Sequence, residues 1–287
     1  MIKIVKDELM NYLKLKKQLE QFLDEDIGNG DVTNCIFDPL ETGEIIFLAK
    51  EDGIFCGREV IRTGYNILDH GSNVNIYVQD GQRIQKGQTI GAVNGSIANL
   101  LQGERVILNI IQRMSGIATQ TARAVATLNS TDTKICDTRK TTPGLRMLEK
   151  YAVRCGGGHN HRFGLDDGAM IKDNHIAFAG SITKAVEHVR KHTGHMINIE
   201  VETETKEQVI EAVESGVDII MFDNRQPEEI KEWINLVPDK IITEASGGIT
   251  LDNLASYKHT GVDYISLGFL THSVASLDIS VKVHINT

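Results

Sequence analysis

The chain has 287 residues and carries 39 Asp and Glu against 30 Lys and Arg. That acidic balance excludes non-specific attachment to nucleic acid or to an anionic membrane, and the length suits one large domain or two smaller ones. The four cysteines (Cys35, Cys56, Cys136 and Cys155) form no C-x-x-C pair. They read as reduced cytosolic thiols, with neither a disulfide framework nor a zinc site, and Cys136 reads as packing rather than as a nucleophile. The N-terminal stretch is too charged for a signal peptide, and no apolar run approaches a membrane span. The expectation is a cytoplasmic enzyme.

In chain order, residues from about 4 to 25 read as a helix, with Leu9, Tyr12, Leu13, Leu19, Phe22 and Leu23 at mixed spacings of three and four. From about 44 to 95 the pattern turns to short β-prone segments, EIIFLAKEDGIF and NVNIYVQDGQRIQKGQTIGAVNG, split by Gly and Asp turns. Within them, D-G-x-x-I-x-K-G-x-x-I-G is similar to the turn of a lipoyl- or biotinyl-carrier sandwich. No exposed hairpin presents a carrier lysine, so the likeness reads as shared sheet topology. From Ala98 to Met114 the helical pattern returns.

After Thr133 the chain alternates. Strand-like TKIC, AMIK, INIEVE, DIIMF, KIITEA and DYISL are separated by helix-like segments starting near Thr142, Ser181, Thr205, Gln226 and Thr250. Thr205 and Thr250 both suit an N-cap, and only Thr205 has the Gln208 that completes a capping box. Six strands alternating with helices predict a parallel sheet, here an incomplete barrel.

Polar residues gather at one end of these strands. TKIC runs into Asp137-Thr138-Arg139-Lys140, AMIK into Lys172-Asp173-Asn174, DIIMF into Asp223-Asn224, KIITEA into Ser246-Gly247-Gly248, and DYISL into Gly268. The C-terminal strand ends of such barrels form the active site. Glu200 and Glu202 are two apart, so they share one side of their strand, while Ile197, Ile199 and Val201 take the other. Lys140, Lys172 or a bound metal could meet those carboxylates. Glu200 also fits a structural ion pair in the core. Glu202 and Asp223 suit Mg²⁺, which favours few protein carboxylates plus substrate phosphate. Ser246-Gly247-Gly248 before a helix, and Gly268 before Thr271, His272 and Ser273, suit phosphate.

The segment from Asp137 to His175 holds seven Arg or Lys and three His on this acidic background, which implies a local anion site. Gly156-Gly157-Gly158 leads into His159-Asn160-His161-Arg162, and Arg139 with Arg162 suits bidentate capture of carboxylates. Arg146, Lys150 and Arg154 are spaced by four along a helix-like stretch and read as a solvated face. Arg105 is four after Leu101 and three before Leu108, which places it on an apolar helix face. There it reads equally as a snorkelling or Glu104-paired side chain or as a ligand.

D-T-R-K-T, then a glycine run followed by N-H-R, then K-D-N-H, S-G-G-I near 246 and T-H-S near 271, resemble the quinolinate phosphoribosyltransferases, the nicotinate-nucleotide pyrophosphorylases of NAD synthesis. The resemblance covers nearly the whole chain. It implies the type II phosphoribosyltransferase fold: an N-terminal α/β sandwich domain over 1–112, then an open parallel α/β barrel over 113–273, with 274–287 packing back on the first domain. It implies that quinolinate and phosphoribosyl pyrophosphate become nicotinate mononucleotide, pyrophosphate and CO₂. Arg105, Arg139, His161, Arg162 and Lys172 match the dicarboxylate-binding positions. Lys140, Glu202 and Asp223 match the catalytic ones. The donor is held by Lys140, Glu202, Asp223, Ser246, Gly247, Gly248, Gly268 and His272, with Mg²⁺ on Glu202 and Asp223 directly or through water. The family's E-R-x-x-L-N segment implies a homodimer in which Arg105 completes the neighbouring subunit's site. Two rivals are a Schiff-base aldolase built on Lys172 and a carrier role for the first domain. A related pyrophosphorylase-like protein of molybdenum-transport operons shares the pattern.

Overall fold

The computed structural model describes residues 10–38 and 40–285. The chain divides into two compact units, one of residues 1–122, 147–157 and 274–287 and the other of 123–146 and 158–273.

The first unit opens with α1 (Tyr12–Ile27), capped by the Asn11 side chain, which accepts the Lys14 amide, and closed at Gly28 with φ 55°. Its buried face is Leu15, Leu19 and Leu23, spaced by four. Tyr12 and Leu13, expected on that face, are exposed. Residues 4–9, including Leu9, lie outside the described residues. Then come β1 (Thr42–Ala49), β2 (Gly53–Ile54), α2 (Arg58–Leu68), β3 (Asn73–Ile76), β4 (Arg83–Ile84) and β5 (Thr89–Ser96). The helix α2 interrupts a stretch whose flanks both read as β, and it buries Val60, Ile61, Gly64 and Tyr65 at helical spacing.

The helix α3 (Ile97–Leu128) is 32 residues long, about 48 Å at 1.5 Å per residue. It continues well past Met114 and runs unbroken through 112–113, where the sequence placed a domain boundary. Nothing between 112 and 128 stops a helix, because Gly116 is the only helix breaker there. A Cβ at Gly116 would lie 2.2 Å from the Ala275 carbonyl oxygen, so close backbone approach explains that glycine.

The second unit begins its sheet with β6 (Lys134–Cys136). The helix α4 (Arg146–Cys155) follows, and its residues 147–155 belong to the first unit. It is not the solvated helix that its cations suggested: Leu148, Glu149, Lys150, Tyr151, Ala152 and Val153 are all buried. The Glu149 carboxylate accepts Nε and Nη2 of Arg113, at 2.8 and 2.6 Å, a charge-assisted pair that offsets its desolvation. Nearby, ligand atoms of Cys56, Asp80 and Cys155 lie within 4.8 Å of one another, a grouping that spacing along the chain did not reveal. The Asp80 oxygens accept the Gly57 and Arg58 amides and the Tyr151 hydroxyl. Burial, first of all, pushes the Cys56 thiol well up, which keeps it protonated.

The alternation continues through β7 (Ala169–Ile171), α5 (Asp173–Ala179), α6 (Ile182–His192), β8 (Ile199–Thr203), α7 (Lys206–Glu214), β9 (Ile219–Asp223), α8 (Pro227–Trp233), β10 (Ile242–Ser246), β11 (Tyr264–Ser266) and α9 (Phe269–His272). All the expected strands form one parallel sheet in the order β6-β11-β10-β9-β8-β7. Its edges β6 and β7 do not pair with each other, so the barrel is open. Thr205 and Gln208 form the expected capping box on α7. The expected helix from Thr250 does not form. Asn253 accepts the Thr250 amide at 2.8 Å, and a 3₁₀ segment starts only at Leu254.

The last strand, β12 (Ile279–Ile285), pairs antiparallel with β1 and completes a sheet ordered β12-β1-β5-β3 in the first unit.

Candidate active site

The C-terminal ends of the parallel strands surround a cavity of about 550 Å³, a size suited to small charged ligands. Its wall takes Thr138, Arg139 and Lys140 from the loop after β6, His161 and Arg162 from the loop after the glycine run, and Lys172 just past β7. Glu202 comes from β8, Asp223 and Asn224 from the end of β9, Ser246, Gly247 and Gly248 from the end of β10, and Ser266 from β11. Every strand of the sheet therefore contributes its C-terminal end, as the polar strand ends foretold.

Lys172 is bonded to Glu202, so this pair, rather than Lys140, meets that carboxylate. Burial is the main cause that raises the Glu202 pKa. Lys172 opposes the rise, and Asp223 and Glu200 add to it. Glu200 is buried and faces His161, whose Nε2 lies 3.1 Å from Oε2. The His161 Nδ1 accepts the Arg162 amide at 2.8 Å, so the neutral ring carries its hydrogen on Nε2, directed at Glu200. His161, Glu200 and Glu244 have metal-ligand spacing. That tautomer leaves Nε2 with no lone pair for a cation. Glu244, buried beside Glu200, is pushed up to about 8, chiefly by burial and then by Glu200.

Arg139 and Arg162 set the character of the cavity. Burial, and then the charge of Arg139, lower the Arg162 pKa. The Nε of each is buried with no hydrogen-bond partner, although Arg162 Nη1 donates to the Gly168 carbonyl at 2.6 Å. Two desolvated donors side by side call for an anionic acceptor.

Gly268 and His272 are not part of the wall but stand behind it. A Cβ on Gly268 would lie 3.0 Å from Lys140 Cδ and 3.1 Å from the His272 ring. Arg105 lies on α3 in the first unit. Its side chain is exposed rather than held on an apolar face, and it has no hydrogen bond or ion pair among the described residues.

Two family models match the chain: the N-terminal domain of quinolinate phosphoribosyl transferase over residues 31–115 and its C-terminal domain over residues 117–282. A probable nicotinate-nucleotide pyrophosphorylase [carboxylating] of Bacillus subtilis is 56% identical over 274 residues, covering 96% of this chain and 95% of that one. The mitochondrial quinolinate phosphoribosyltransferase [decarboxylating] 2 of Nicotiana glauca is 42% identical, covering 94% and 82%. The crystal structure of NadC from Streptococcus pyogenes superposes with a TM-score of 0.93 at 39% identity, covering 97% of this chain and 99% of that one.

The chain belongs to the quinolinate phosphoribosyltransferase family.

Several wall residues of this phosphoribosyltransferase escaped the sequence reading of the site. Ser266 ends β11 two residues before Gly268, and Glu244, which is not on the wall but faces His161, lies two before Ser246 on the same side of β10. Period-two counting back from the polar strand ends would have found both. Met170 and Met221 line the wall with no polar signal to mark them.

The glycine of the Ser246-Gly247-Gly248 turn is set by sterics. Gly247 has φ 84°, and a Cβ there would meet Asn224 Oδ1 at 2.3 Å. Asn224 itself adopts φ 54° and donates its backbone amide to the Ser246 carbonyl at 2.8 Å. Gly247→Ala is expected to destabilise the enzyme by about 1–3 kcal/mol, through strained φ and displacement of Asn224. Thermal unfolding of purified protein checks this, and an unchanged midpoint would refute the steric account.

Proposed function

We propose that the cavity holds quinolinate beside phosphoribosyl pyrophosphate, with Arg139, Arg162 and Lys172 on the first ligand and Lys140 with residues of the inner strands on the second. The observation that carries the reading is the pair of partnerless buried Nε groups on Arg139 and Arg162. The family's reaction is this chain's: quinolinate and phosphoribosyl pyrophosphate give nicotinate mononucleotide, pyrophosphate and CO₂ in NAD synthesis.

Arg139, Arg162 and Lys172 take the two adjacent carboxylates, which are desolvated only against several cations. His161 has both ring nitrogens engaged, and it serves this site by carrying Arg162 and bracing it on Glu200. Lys140, Ser246, Gly247 and Gly248 face the donor's phosphates, with Gly268 and His272 packed around Lys140. The bond from the ribose to pyrophosphate breaks, and positive charge develops on the sugar. Glu202 and Asp223 stabilise that charge, and the pyridine nitrogen attacks the anomeric carbon. The carboxyl next to the quaternised nitrogen then leaves as CO₂; the electron pair of the broken bond stays on the ring carbon beside the positive nitrogen, and that carbon takes up a proton from solvent.

Mg²⁺ fits the same wall. Glu202 and Asp223 are oxygen donors at neighbouring strand ends, and a nearby cation would offset the burial and the Asp223 charge that disfavour the Glu202 carboxylate. Held by these two residues and the donor's phosphates, the ion would supply charge neutralisation for the departing pyrophosphate. Arg105, exposed and without a partner among the described residues, is assigned to the dicarboxylate site of a second subunit in a homodimer. No helix among the described residues is long and apolar enough to cross a membrane. A cytoplasmic location belongs to this proposal, supported by four cysteines that form no disulfide.

The test is direct: purified protein with quinolinate, phosphoribosyl pyrophosphate and Mg²⁺ is expected to release nicotinate mononucleotide. Titration calorimetry resolves the roles. Arg139→Ala and Lys172→Ala should weaken quinolinate far more than the donor, and Asp223→Ala should act mainly on the donor and Mg²⁺. Equal losses of both ligands in all three variants would refute the division.

A further inference from the structure

We propose that Asp137 is a positioning residue for the dicarboxylate site, its side chain replacing a rung of the β-ladder so as to fix the segment that carries His161 and Arg162. The proposal rests on the reading of Arg162 as a quinolinate ligand.

The segment follows three consecutive glycines, so its own backbone does little to fix it. It is held instead on the open edge of β6. The His159 amide donates to the Ile135 carbonyl at 2.8 Å, and the Asp137 amide donates to the His159 carbonyl at 3.1 Å. These two bonds form a single parallel bridge between Cys136 and His159. In a continuing parallel ladder the next bond would run from the His161 amide to the Asp137 backbone carbonyl. Here the His161 amide donates to the Asp137 side-chain oxygen Oδ1, at 2.9 Å. The other oxygen, Oδ2, accepts Asn160 Nδ2 at 2.6 Å.

The side chain is fully buried, so it acts on its neighbours and not on solvent or substrate. Taking the rung with a side chain frees the two backbones to part. Arg139, two residues past Asp137, and Arg162, one past His161, both line the cavity with their Nε groups unpaired. A displacement of about 1 Å at such a clamp can cost about a hundredfold in turnover.

The test compares Asp137→Ala, Asp137→Asn, and Asp137→Asn combined with Asn160→Asp, with Arg162→Ala as the control, by calorimetric binding of quinolinate and of phosphoribosyl pyrophosphate. Asp137→Ala should weaken quinolinate at least about tenfold while the donor changes by no more than roughly twofold. Asp137→Asn keeps the acceptor for the His161 amide but sets two amide groups against each other at Asn160. It should fall between, and the added Asn160→Asp should recover most of the loss by restoring a donor–acceptor pair. Equal weakening of both ligands, loss of thermal stability with quinolinate affinity intact, or no recovery in the double variant would overturn the proposal. If Arg162→Ala also leaves quinolinate binding unchanged, it is the ligand assignment that fails.

Discussion

Mixing two inactive proteins, Arg105→Ala and Lys172→Ala, is expected to restore activity. If Arg105 serves the neighbouring subunit, each mixed dimer has one site with Lys172 from one chain and Arg105 from the other, both intact. The opposite site lacks both. Random exchange makes half of the dimers mixed, so about a quarter of all sites should work, against essentially none in either parent. The exposed Arg105 side chain, with no partner among the described residues, is what a residue acting outside its own subunit would show. Subunit exchange has to be verified independently, for instance with differently tagged chains. Demonstrated exchange with no recovery would rule out sharing of the site.

Replacing quinolinate by nicotinate should have an effect of similar size. Nicotinate lacks one of the two carboxylates, so part of the cluster of Arg139, Arg162 and Lys172 would be left desolvated without its counter-charge. Loss of one partner of a buried charged pair costs about 2–5 kcal/mol, or roughly thirtyfold to several thousandfold in binding. Steady-state turnover with the two substrates measures this, and comparable kcat/KM values would defeat the dicarboxylate account. The buried, partnerless Nε atoms make the expectation specific, because a monocarboxylate leaves at least one of those donors unsatisfied.

The second unit was the more legible part of the chain. Its strands are short apolar runs that stop at charged or glycine-rich ends, so apolar periodicity and polar punctuation agree on where each strand stops. Thr205 with Gln208 shows the same agreement between local signal and structure. Where the signals disagreed, tertiary packing decided. Lys150 has the spacing of a surface cation but is fully buried, because α4 is enclosed on nearly all sides. Arg105 has the spacing of an inward residue but is exposed. The helix α2 was hidden between two β-prone stretches, and the Thr250 helix lost to the Asn253 side chain, which offers that amide an alternative partner. In the site, residues at strand ends were found, whereas the part proposed for Asp137 lies in side-chain contacts that no linear pattern encodes.

The open sheet also sorts the pocket mechanically. Arg139 and Lys172 follow β6 and β7, the edge strands, each laddered to another strand of the sheet on one side only, with β6 carrying just the single bridge to His159 on its other side. Glu202, Asp223 and Ser246 belong to β8, β9 and β10, which are laddered on both sides. Opening at an edge breaks one row of hydrogen bonds, and opening at the centre breaks two. Amide exchange should therefore be faster along β6 and β7 than along β8 to β10. On the proposed assignment, the dicarboxylate is met mainly from the more compliant edges of the sheet and the sugar phosphate mainly from its more firmly laddered centre.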